Sequence, residues 1–157
     1  MIIHFGLESL EPLEKFLQRD PIVFTNGCFD LLHAGHVQYL QDAAKLGILI
    51  IGLNSDSSVK QLKGIKRPIL SENERASILM GLKGVAAVII FDEETPLKLI
   101  QTIKPQILVK GGDWPVEKII GADFVLKSGG KVESLPFYEG HSSTEIVERV
   151  LERYQGS

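Results

Sequence analysis

The sequence predicts a single α/β domain with a doubly wound parallel sheet of about five strands. Short apolar runs alternate with longer stretches of helical periodicity along the 157-residue chain, which is the pattern of repeated strand–helix–strand units. One run, ILIIGLN at 48–54, is apolar without alternation, as in a strand covered by helices on both faces of its sheet. Polar, glycine-rich segments follow four of the runs. Because parallel sheets bind ligands beyond the carboxyl ends of their strands, we expect a site at that edge.

The first strand–helix–strand unit is the clearest one. The apolar run 22–25 ends at Asn26-Gly27, a pair typical of turns. Between 35 and 46, apolar residues recur at near-helical spacing, and Gly47 lies where a helix C-cap belongs. The strand at 48–54 follows at once. The spacing therefore predicts a buried strand, a helix and a second buried strand.

The rest of the chain continues the alternation. Ser71 and Glu74 have the spacing of a capping box, which predicts a helix over 72–83. The further predicted elements are a strand at 86–91, a helix from Thr95-Pro96 to about Ile103, strands at 106–110 and 131–136, and a helix from Ser142 or Ser143 to about Tyr154.

Composition limits the function classes. The chain has 17 Lys and Arg against 20 Asp and Glu, which argues against nucleic acid as the main partner. Cys28 is the single cysteine, so no intramolecular disulfide forms, in keeping with a reducing compartment. The N-terminus does not have the pattern of a secretory signal, and no apolar run is long enough to span a membrane. We expect a cytoplasmic protein without a membrane partner, with a domain at 21–157 and a peripheral helical segment at 1–20.

Two histidines, His33 and His36, lie at the start of the first predicted helix. Three interpretations compete: a metal pair, residues of the core, or a cradle for phosphate. A zinc site needs three or four ligands, and neither a cysteine pair nor an HExxH pattern is present. Gly35 allows close approach of the backbone, and a helix start offers free N–H groups. Phosphate suits these residues best, although the sequence has neither a P-loop nor a GxGxxG pattern after the first strand.

The run GCFDLLHAGHVQYL at 27–40 resembles the signature of the HxGH nucleotidyltransferase superfamily, in its cytidylyltransferase-like branch. The resemblance extends from 22 to 150. Further matching motifs are NSD at 54–56, RPILSENER at 67–75, VKGGDW at 109–114 and EGHSSTEI at 139–146. Together they are most similar to the adenylyltransferase domain of bifunctional heptose kinase/adenylyltransferase proteins. The resemblance implies a Rossmann-like fold and transfer of a nucleotidyl group to a phosphorylated small molecule. Mg²⁺ would assist, pyrophosphate would leave, and no covalent enzyme intermediate would form.

The resemblance assigns roles to residues of the phosphate end. His33 and His36 are expected to hold the triphosphate and to stabilise the transition state, and Lys63 to bridge the acceptor phosphate and the nucleotide α-phosphate. Arg75 is expected to contact the anion of the substrate. Two alternatives stay open: Lys63 as part of a solvated charge run, and Arg75 as an exposed first-turn residue of its helix. Backbone groups expected to line the same phosphates are those of Gly27, Cys28 and Phe29.

Two further motifs match nucleotide-binding positions. Lys110, Gly112 and Asp113 are expected beside the nucleoside, where Asp113 would accept from a ribose hydroxyl. Trp114 is expected near the base or the sugar, with ordinary half-buried packing as the alternative. Hydroxyls expected at the β- and γ-phosphates are those of Ser142, Ser143 and Thr144, for which a simple helix N-cap is the alternative.

One departure separates two substrate hypotheses. Cytidylyltransferases of this branch usually carry an arginine shortly before the EG-ST stretch, where this chain has Phe137-Tyr138. The leading hypothesis is therefore an adenylyltransferase that joins ATP to D-glycero-β-D-manno-heptose 1-phosphate, whose product would feed lipopolysaccharide biosynthesis. The alternatives are a cytidylyltransferase acting on glycerol 3-phosphate or a similar alcohol phosphate, and a non-catalytic nucleotide-binding module. Apart from Mg²⁺ bound with ATP no metal is expected, and a homodimer is plausible by the resemblance.

Overall fold

All strands of the sheet are parallel, and the direction in which successive strands are added reverses once. Its strands are β1 (Ile2–His4), β2 (Ile22–Gly27), β3 (Ile48–Asn54), β4 (Val85–Phe91), β5 (Ile107–Gly111) and β6 (Lys131–Leu135). They lie in the order β1–β4–β3–β2–β5–β6, and every pair is parallel. Strands β2, β3 and β4 succeed one another to one side, whereas β5 and β6 are added on the other side of β2. The doubly wound parallel sheet predicted from the sequence is confirmed.

The computed structural model describes residues 1–18, 21–136, 138 and 140–155. Two residues of the quoted motifs, Phe137 and Glu139, lie outside the described residues. The same is true of residues at the predicted domain limits, 19–20 and 156–157.

Helices cover both faces of the sheet. They are α1 (Glu14–Leu17), α2 (Ala34–Ala44), α3 (Asp56–Lys63), α4 (Glu72–Met80), α5 (Leu97–Ile103), α6 (Ala122–Lys127) and α7 (Ser143–Gln155). One core cluster joins α2 and α4 to the sheet through side chains such as Leu40 and Leu79. The other joins α5 and α6 to the opposite face through side chains such as Ile100 and Val125. None of these helices has the length and apolarity needed to cross a bilayer within the described residues.

The N-terminal segment departs from its predicted peripheral helix. Residues 2–4 form β1, in which Ile3 pairs with Ile89 of β4 and is only 4% exposed. Leu13 is also buried in the core, and the helical part of the segment is confined to α1 and a short 3₁₀ turn before it. A three-residue strand is too short to show a periodicity, and its partner lies more than eighty residues away. The segment therefore supplies a sixth strand.

Two helices were not predicted from the sequence, α3 and α6. In α3 only Ser58 and Val59 are buried, so the apolar periodicity is too weak to indicate a helix. The helix forms because the Ser55 side chain caps it by accepting from the N–H of Ser58. At α4 the predicted capping box is confirmed: Ser71 Oγ accepts from the N–H of Glu74, and the Glu74 carboxylate accepts from the N–H of Ser71.

Candidate active site

A cleft opens at the carboxyl ends of β2 and β5, the two strands between which the sheet order reverses. The loop after β2, the first turn of α2 and the segment before α7 form its walls. Parallel sheets bind ligands at such switch points because the loops after the two strands diverge there. The side chains of His33, His36, Lys63, Lys110 and Ser143 all line this cleft.

The two histidines of the HAGH run occupy the first turn of α2. His33 is the N-cap residue, and its Nδ1 accepts from the N–H of His36 at 3.4 Å. The two rings stack with centroids 3.8 Å apart. Gly35 is needed between them, because a Cβ at that position would lie 3.1 Å from both the His33 ring and the Cβ of His141. The loop before α7 can therefore approach the start of α2 closely.

Both imidazoles are held in the neutral form. Burial lowers the pKa of His36 to about 4, with smaller contributions from His33 and Lys63. Burial also lowers the pKa of His33, and His141 adds to that effect. Within the described part of the chain, His36 Nδ1 is buried without a hydrogen-bond partner. An anion bound in the cleft would favour protonation of these rings, because its negative charge opposes the cause of the shift.

A second helix N-terminus faces the first. Ser142 Oγ accepts from the N–H of Glu145 at 3.1 Å, and the Glu145 carboxylate accepts from the N–H of Ser142. Ser143 Oγ donates to the Leu31 carbonyl at 2.7 Å and so ties α7 to the loop before α2. Two positive helix ends therefore converge on one recess, an arrangement suited to phosphate. We call this the phosphate recess; its lining is His33, His36, Lys63, Arg67, His141, Ser142, Ser143 and Thr144.

Lys63 is the last residue of α3 and lines both the cleft and the phosphate recess. Gly64 follows it with a φ of 91°, a backbone conformation that favours glycine and ends the helix. The capped helix α3 thus delivers an ammonium group beside the two histidines.

Asp30 fastens the segment 67–70 to the loop after β2. Its carboxylate accepts from Arg67 Nη1 at 2.9 Å and from the N–H groups of Ile69 and Leu70 at 2.8 and 3.0 Å. Burial would raise the pKa of Asp30, but the hydrogen bonds from Leu70, Ile69 and Arg67 outweigh it and hold the pKa below its ordinary value. Asp30 therefore braces two segments that lie about forty residues apart in the sequence.

Arg75, expected to contact a substrate anion, has a different place in the structure. The residue is 1% exposed, and its guanidinium donates to the carbonyls of Leu70, Cys28 and Asn54. It also forms an ion pair with Asp56 at 2.7 Å. Four of its five N–H donors bond to protein acceptors, and it lines neither the cleft nor the phosphate recess. Arg75 therefore positions the loop after β2 and the end of β3 rather than reaching an anion in this arrangement.

The loop after β2 is packed closely beneath the cleft. A Cβ on Gly27 would lie 3.1 Å from the Phe29 ring, and Phe29 meets the His36 ring edge to face at 5.2 Å. Cys28 Sγ lies 4.0 Å from Asn54 Oδ1. Burial raises the pKa of the Cys28 thiol, so the thiol stays protonated near neutral pH and is a poor nucleophile.

The residues after β5 separate into two groups. Lys110 lines the cleft, and burial lowers its pKa. Gly112 turns the chain with a φ of 95° and donates its N–H to the Leu135 carbonyl, but neither it nor Asp113 lines the cleft. Trp114 lines a second recess, which shares Lys110 with the cleft and is otherwise mainly apolar.

Sequence reasoning gave no role to several residues that the fold brings to the site, three of which carry polar side chains at its rim. Arg67, Tyr138 and His141 line the cleft or the phosphate recess, and the His141 ring lies parallel to the His33 ring at 6.2 Å. Their positions within or just before the matched motifs indicated that they lie near the site, but did not indicate what each side chain does there. Among the described residues, no group of three or more His, Cys, Asp or Glu side chains could hold a metal ion.

Comparison with known proteins agrees with this geometry. The family model described as cytidylyltransferase-like matches residues 24–149. The chain is 58% identical over 134 residues to the bifunctional protein HldE of Trichlorobacter lovleyi, covering 85% of this chain and 27% of that protein. It is 56% identical over 150 residues to that of Geobacter metallireducens, covering 95% and 30%. With the Helicobacter pylori protein, identity is 51%, covering 94% and 31%. The chain thus spans roughly three tenths of the length of these relatives.

Solved structures show the same fold. The lipopolysaccharide core biosynthesis protein from Thermoplasma volcanium superposes with a TM-score of 0.62 at 30% identity, covering 78% of this chain and 100% of that one. Pantoate-beta-alanine ligase from Francisella tularensis superposes with a TM-score of 0.62 at 15% identity, covering 97% and 78%. The second likeness concerns the fold alone.

Proposed function

The chain belongs to the cytidylyltransferase-like family, and we propose that it is an adenylyltransferase that converts ATP and D-glycero-β-D-manno-heptose 1-phosphate into ADP-heptose and pyrophosphate. High identity to the bifunctional HldE proteins supports the sugar phosphate as acceptor. The Thermoplasma volcanium protein, named for lipopolysaccharide core biosynthesis, supports the same area of metabolism. Within this proposal the chain supplies the nucleotidyl-transfer step.

One observation carries the proposal: the N-termini of α2 and α7 converge on stacked His33 and His36. Ser143 ties the N-terminus of α7 to the loop before α2 through its hydrogen bond to the Leu31 carbonyl. Lys63 adds a positive charge, and the residues lining the phosphate recess include no carboxylate. A triphosphate is the ligand class that needs so many donors and positive helix ends in one place.

The reaction proceeds by displacement at the α-phosphorus of ATP. A phosphate oxygen of the acceptor forms the new P–O bond while the bond to the bridging oxygen of the β-phosphate breaks. That electron pair leaves with pyrophosphate. An acceptor phosphate is already ionised near pH 7, so the step needs positioning and charge stabilisation rather than a strong base.

The predicted site residues that line the cleft or the phosphate recess have separate roles in that displacement. His33 and His36 hold oxygens of the triphosphate, and Lys63 lies between the attacking phosphate and the α-phosphate. Ser142 and Thr144, with the N–H groups at the start of α7, hold the β- and γ-phosphates that depart. Ser143 joins them when its hydroxyl turns from the Leu31 carbonyl to a phosphate oxygen. Lys110 lies on the nucleoside side of the cleft, at the border of the second recess.

Mg²⁺ enters this proposal with the nucleotide. The phosphate recess offers imidazole, ammonium, guanidinium and hydroxyl groups, whereas Mg²⁺ prefers carboxylate and phosphate oxygens. The residues therefore fit a triphosphate that brings its own ion. Bound in that form, Mg²⁺ neutralises charge on the phosphate oxygens.

The proposal places the reaction in the cytoplasm, in keeping with its use of ATP and with the single cysteine of the chain. It also keeps the homodimer that the family resemblance implies. Sedimentation velocity of the purified chain tests the homodimer independently of activity.

Pyrophosphate release tests the proposed reaction. The purified chain is mixed with Mg²⁺, with ATP or CTP, and with either anomer of the heptose 1-phosphate or with glycerol 3-phosphate. We expect release with ATP and the β-anomer, and a loss of release in a His36→Asn variant. Release only with CTP and glycerol 3-phosphate would keep the chemistry and replace the substrates. Nucleotide binding without release for any pair would favour a non-catalytic nucleotide-binding module.

A further inference from the structure

The cleft has two chemically different ends. The phosphate recess contains Lys63, Arg67 and the hydroxyls at the start of α7. The other end lies beside β5, where Gly111 and Tyr138 line the cleft but not the phosphate recess. A nucleoside triphosphate has the same polarity, with a chain of anions at one end and a flat aromatic base at the other. The base therefore belongs at the end that Tyr138 lines.

Tyr138 is held in place from outside the cleft. Its hydroxyl donates to Asp42 Oδ2 at 2.6 Å, across 96 residues of sequence. Asp42 lies on α2, the helix that also carries His36, and its other carboxylate oxygen pairs with Lys45 at 2.6 Å. The hydrogen bond thus fixes the segment before α7 against the helix that forms the phosphate end. A side chain held in this way needs little further ordering when a ligand binds.

Gly111 and Tyr39 line the same end of the cleft as Tyr138. A Cβ on Gly111 would lie 3.5 Å from the Tyr39 ring, which is ordinary van der Waals contact. Tyr39 is buried, and its hydroxyl is hydrogen bonded to Thr25 and to the Val109 carbonyl. Tyr138, in contrast, keeps 37% of its surface exposed. Tyr39 is therefore fixed in the protein, whereas Tyr138 keeps exposed surface that a ligand can cover.

The second aromatic candidate lies elsewhere. Trp114 was expected near the base or the sugar, and it lines the second recess, which shares Asn26 and Lys110 with the cleft. It does not line the cleft that contains the two histidines. Among the described Phe, Tyr and Trp side chains of the cleft, Tyr138 is therefore the one with surface available to a base.

We propose that Tyr138 covers the nucleobase and that Asp42 positions Tyr138 for this contact, which makes Tyr138 a determinant of purine over pyrimidine. The inference rests on the proposed function only in taking a nucleoside triphosphate as the ligand. A bicyclic purine offers a larger face to a tyrosine ring than a pyrimidine does, so the contact favours ATP over CTP.

The test compares a ligand with a base and a ligand without one. Titration calorimetry measures the Kd of the non-hydrolysable α,β-methylene analogues of ATP and CTP, and of inorganic tripolyphosphate. We expect Tyr138→Ala to weaken the ATP analogue about tenfold or more, to weaken the CTP analogue less, and to leave tripolyphosphate unchanged. Tyr154→Ala, which removes an 80% exposed tyrosine of α7, is the matched control and should bind like the wild type.

Positioning by Asp42 has its own test. Tyr138→Phe and Asp42→Ala remove the same hydrogen bond and should weaken the ATP analogue by equal, smaller factors. The double variant should lose no more than either single variant, because both substitutions break one interaction. Tyr138→Phe keeps the aromatic ring, and the substitution at Asp42 lies outside the cleft. Both variants can therefore test the proposal if circular dichroism shows that Tyr138→Ala fails to fold.

Three results would overturn the inference. They are unchanged affinity for the ATP analogue in Tyr138→Ala, equal weakening of tripolyphosphate, and additive losses in the double variant. Failure of the proposed function has a different signature. In that case, base-dependent losses at Tyr138 would persist while no acceptor released pyrophosphate.

Discussion

Arg75 Nη1 lies 2.7 Å from the carbonyl oxygen of Cys28 and donates to it, which joins α4 to the first turn of the loop that carries the histidines. The same nitrogen donates to the carbonyl of Asn54 at the end of β3, and the guanidinium pairs with Asp56 at the start of α3. One buried cation therefore sets the relative positions of the loop after β2 and of the helix that ends at Lys63. We expect Arg75 to affect catalysis through these segments.

Substituting Arg75 should cost stability and turnover together. We expect Arg75→Gln to lower the free energy of unfolding by about 3 kcal/mol, because it leaves buried carbonyls and Asp56 without their charged donor. Urea unfolding measures the stability change, and pyrophosphate release measures the loss of kcat.

The matched control for Arg75 is Arg149→Gln, which changes an exposed arginine of α7 and should leave both quantities near the wild-type values. If Arg75 contacted a substrate anion directly, Arg75→Gln would instead raise the KM of the substrate while leaving the stability almost unchanged.

Asp30 predicts a second stability effect, with a defined dependence on pH. The pKa of Asp30 lies below its ordinary value of 3.8, so its stabilisation is present above about pH 3.8 and disappears as the pH falls through the folded-state pKa. We expect Asp30→Asn to lose about 3 kcal/mol at pH 7, because the side chain is fully buried and Arg67 loses its partner.

Urea unfolding at several pH values measures this effect. The difference between the wild type and Asp30→Asn should shrink below pH 3.8, where the wild-type carboxylate also becomes protonated. A difference that stays constant down to pH 3 would contradict the role of the charge. Asp123→Asn, at an exposed position in the first turn of α6, is the control.

The residues that sequence reasoning placed well are those whose role is local. His33 and His36 lie at the start of a helix whose periodicity is visible in the sequence, and Ser142 caps the helix that its position predicts. Arg75 was expected to contact the substrate anion, with an exposed first-turn position as the alternative, because nothing local reveals that its acceptors lie up to 47 residues away. Tyr138 was given no role for the same reason, since its partner on α2 is 96 residues distant.

Strand β1 could not be predicted from the sequence for the same reason, because its partner is distant in the chain. Its three residues carry no periodicity, and only the edge of β4 makes them a strand. Pairing of distant segments is a tertiary effect that local patterns do not encode. The parallel, doubly wound character of the sheet, in contrast, followed from repeated strand–helix–strand units, whose handedness is nearly invariant.

The buried imidazole of His36 predicts a pH dependence of stability at higher pH than that of Asp30. Its pKa is about 4 in the folded protein against an ordinary value of 6.5. Between these values the unfolded chain binds the proton and the folded chain does not, so stability should fall as the pH falls from 6.5 to about 4. Thermal unfolding across this range measures the slope.

His36→Asn, which cannot titrate, should show a smaller decline in stability over the same pH range. Identical slopes for the wild type and this variant would be incompatible with a buried neutral imidazole. The same substitution should lower kcat by about 10²- to 10³-fold, the cost of removing one preorganised donor at a developing charge.

Lys63 and Lys60 offer a matched pair on one helix. Both lie on α3 near its C-terminus, but Lys63 lines the cleft and the phosphate recess and Lys60 lines neither. Because the proposed reaction puts Lys63 where charge develops between the attacking phosphate and the α-phosphate, we expect Lys63→Ala to lower kcat by about 10²- to 10³-fold.

The affinity for the ATP analogue should change much less in Lys63→Ala, since the histidines and the N-terminus of α7 still hold the triphosphate. Lys60→Ala should resemble the wild type in both measurements, and Lys63→Arg should recover part of kcat because it restores the charge with a different geometry. Single-turnover pyrophosphate release, combined with calorimetry on the same preparations, separates the two quantities. Equal losses at both positions would mean that the whole basic segment acts as a diffuse field, and Lys63 would then have no specific place at the reacting phosphorus.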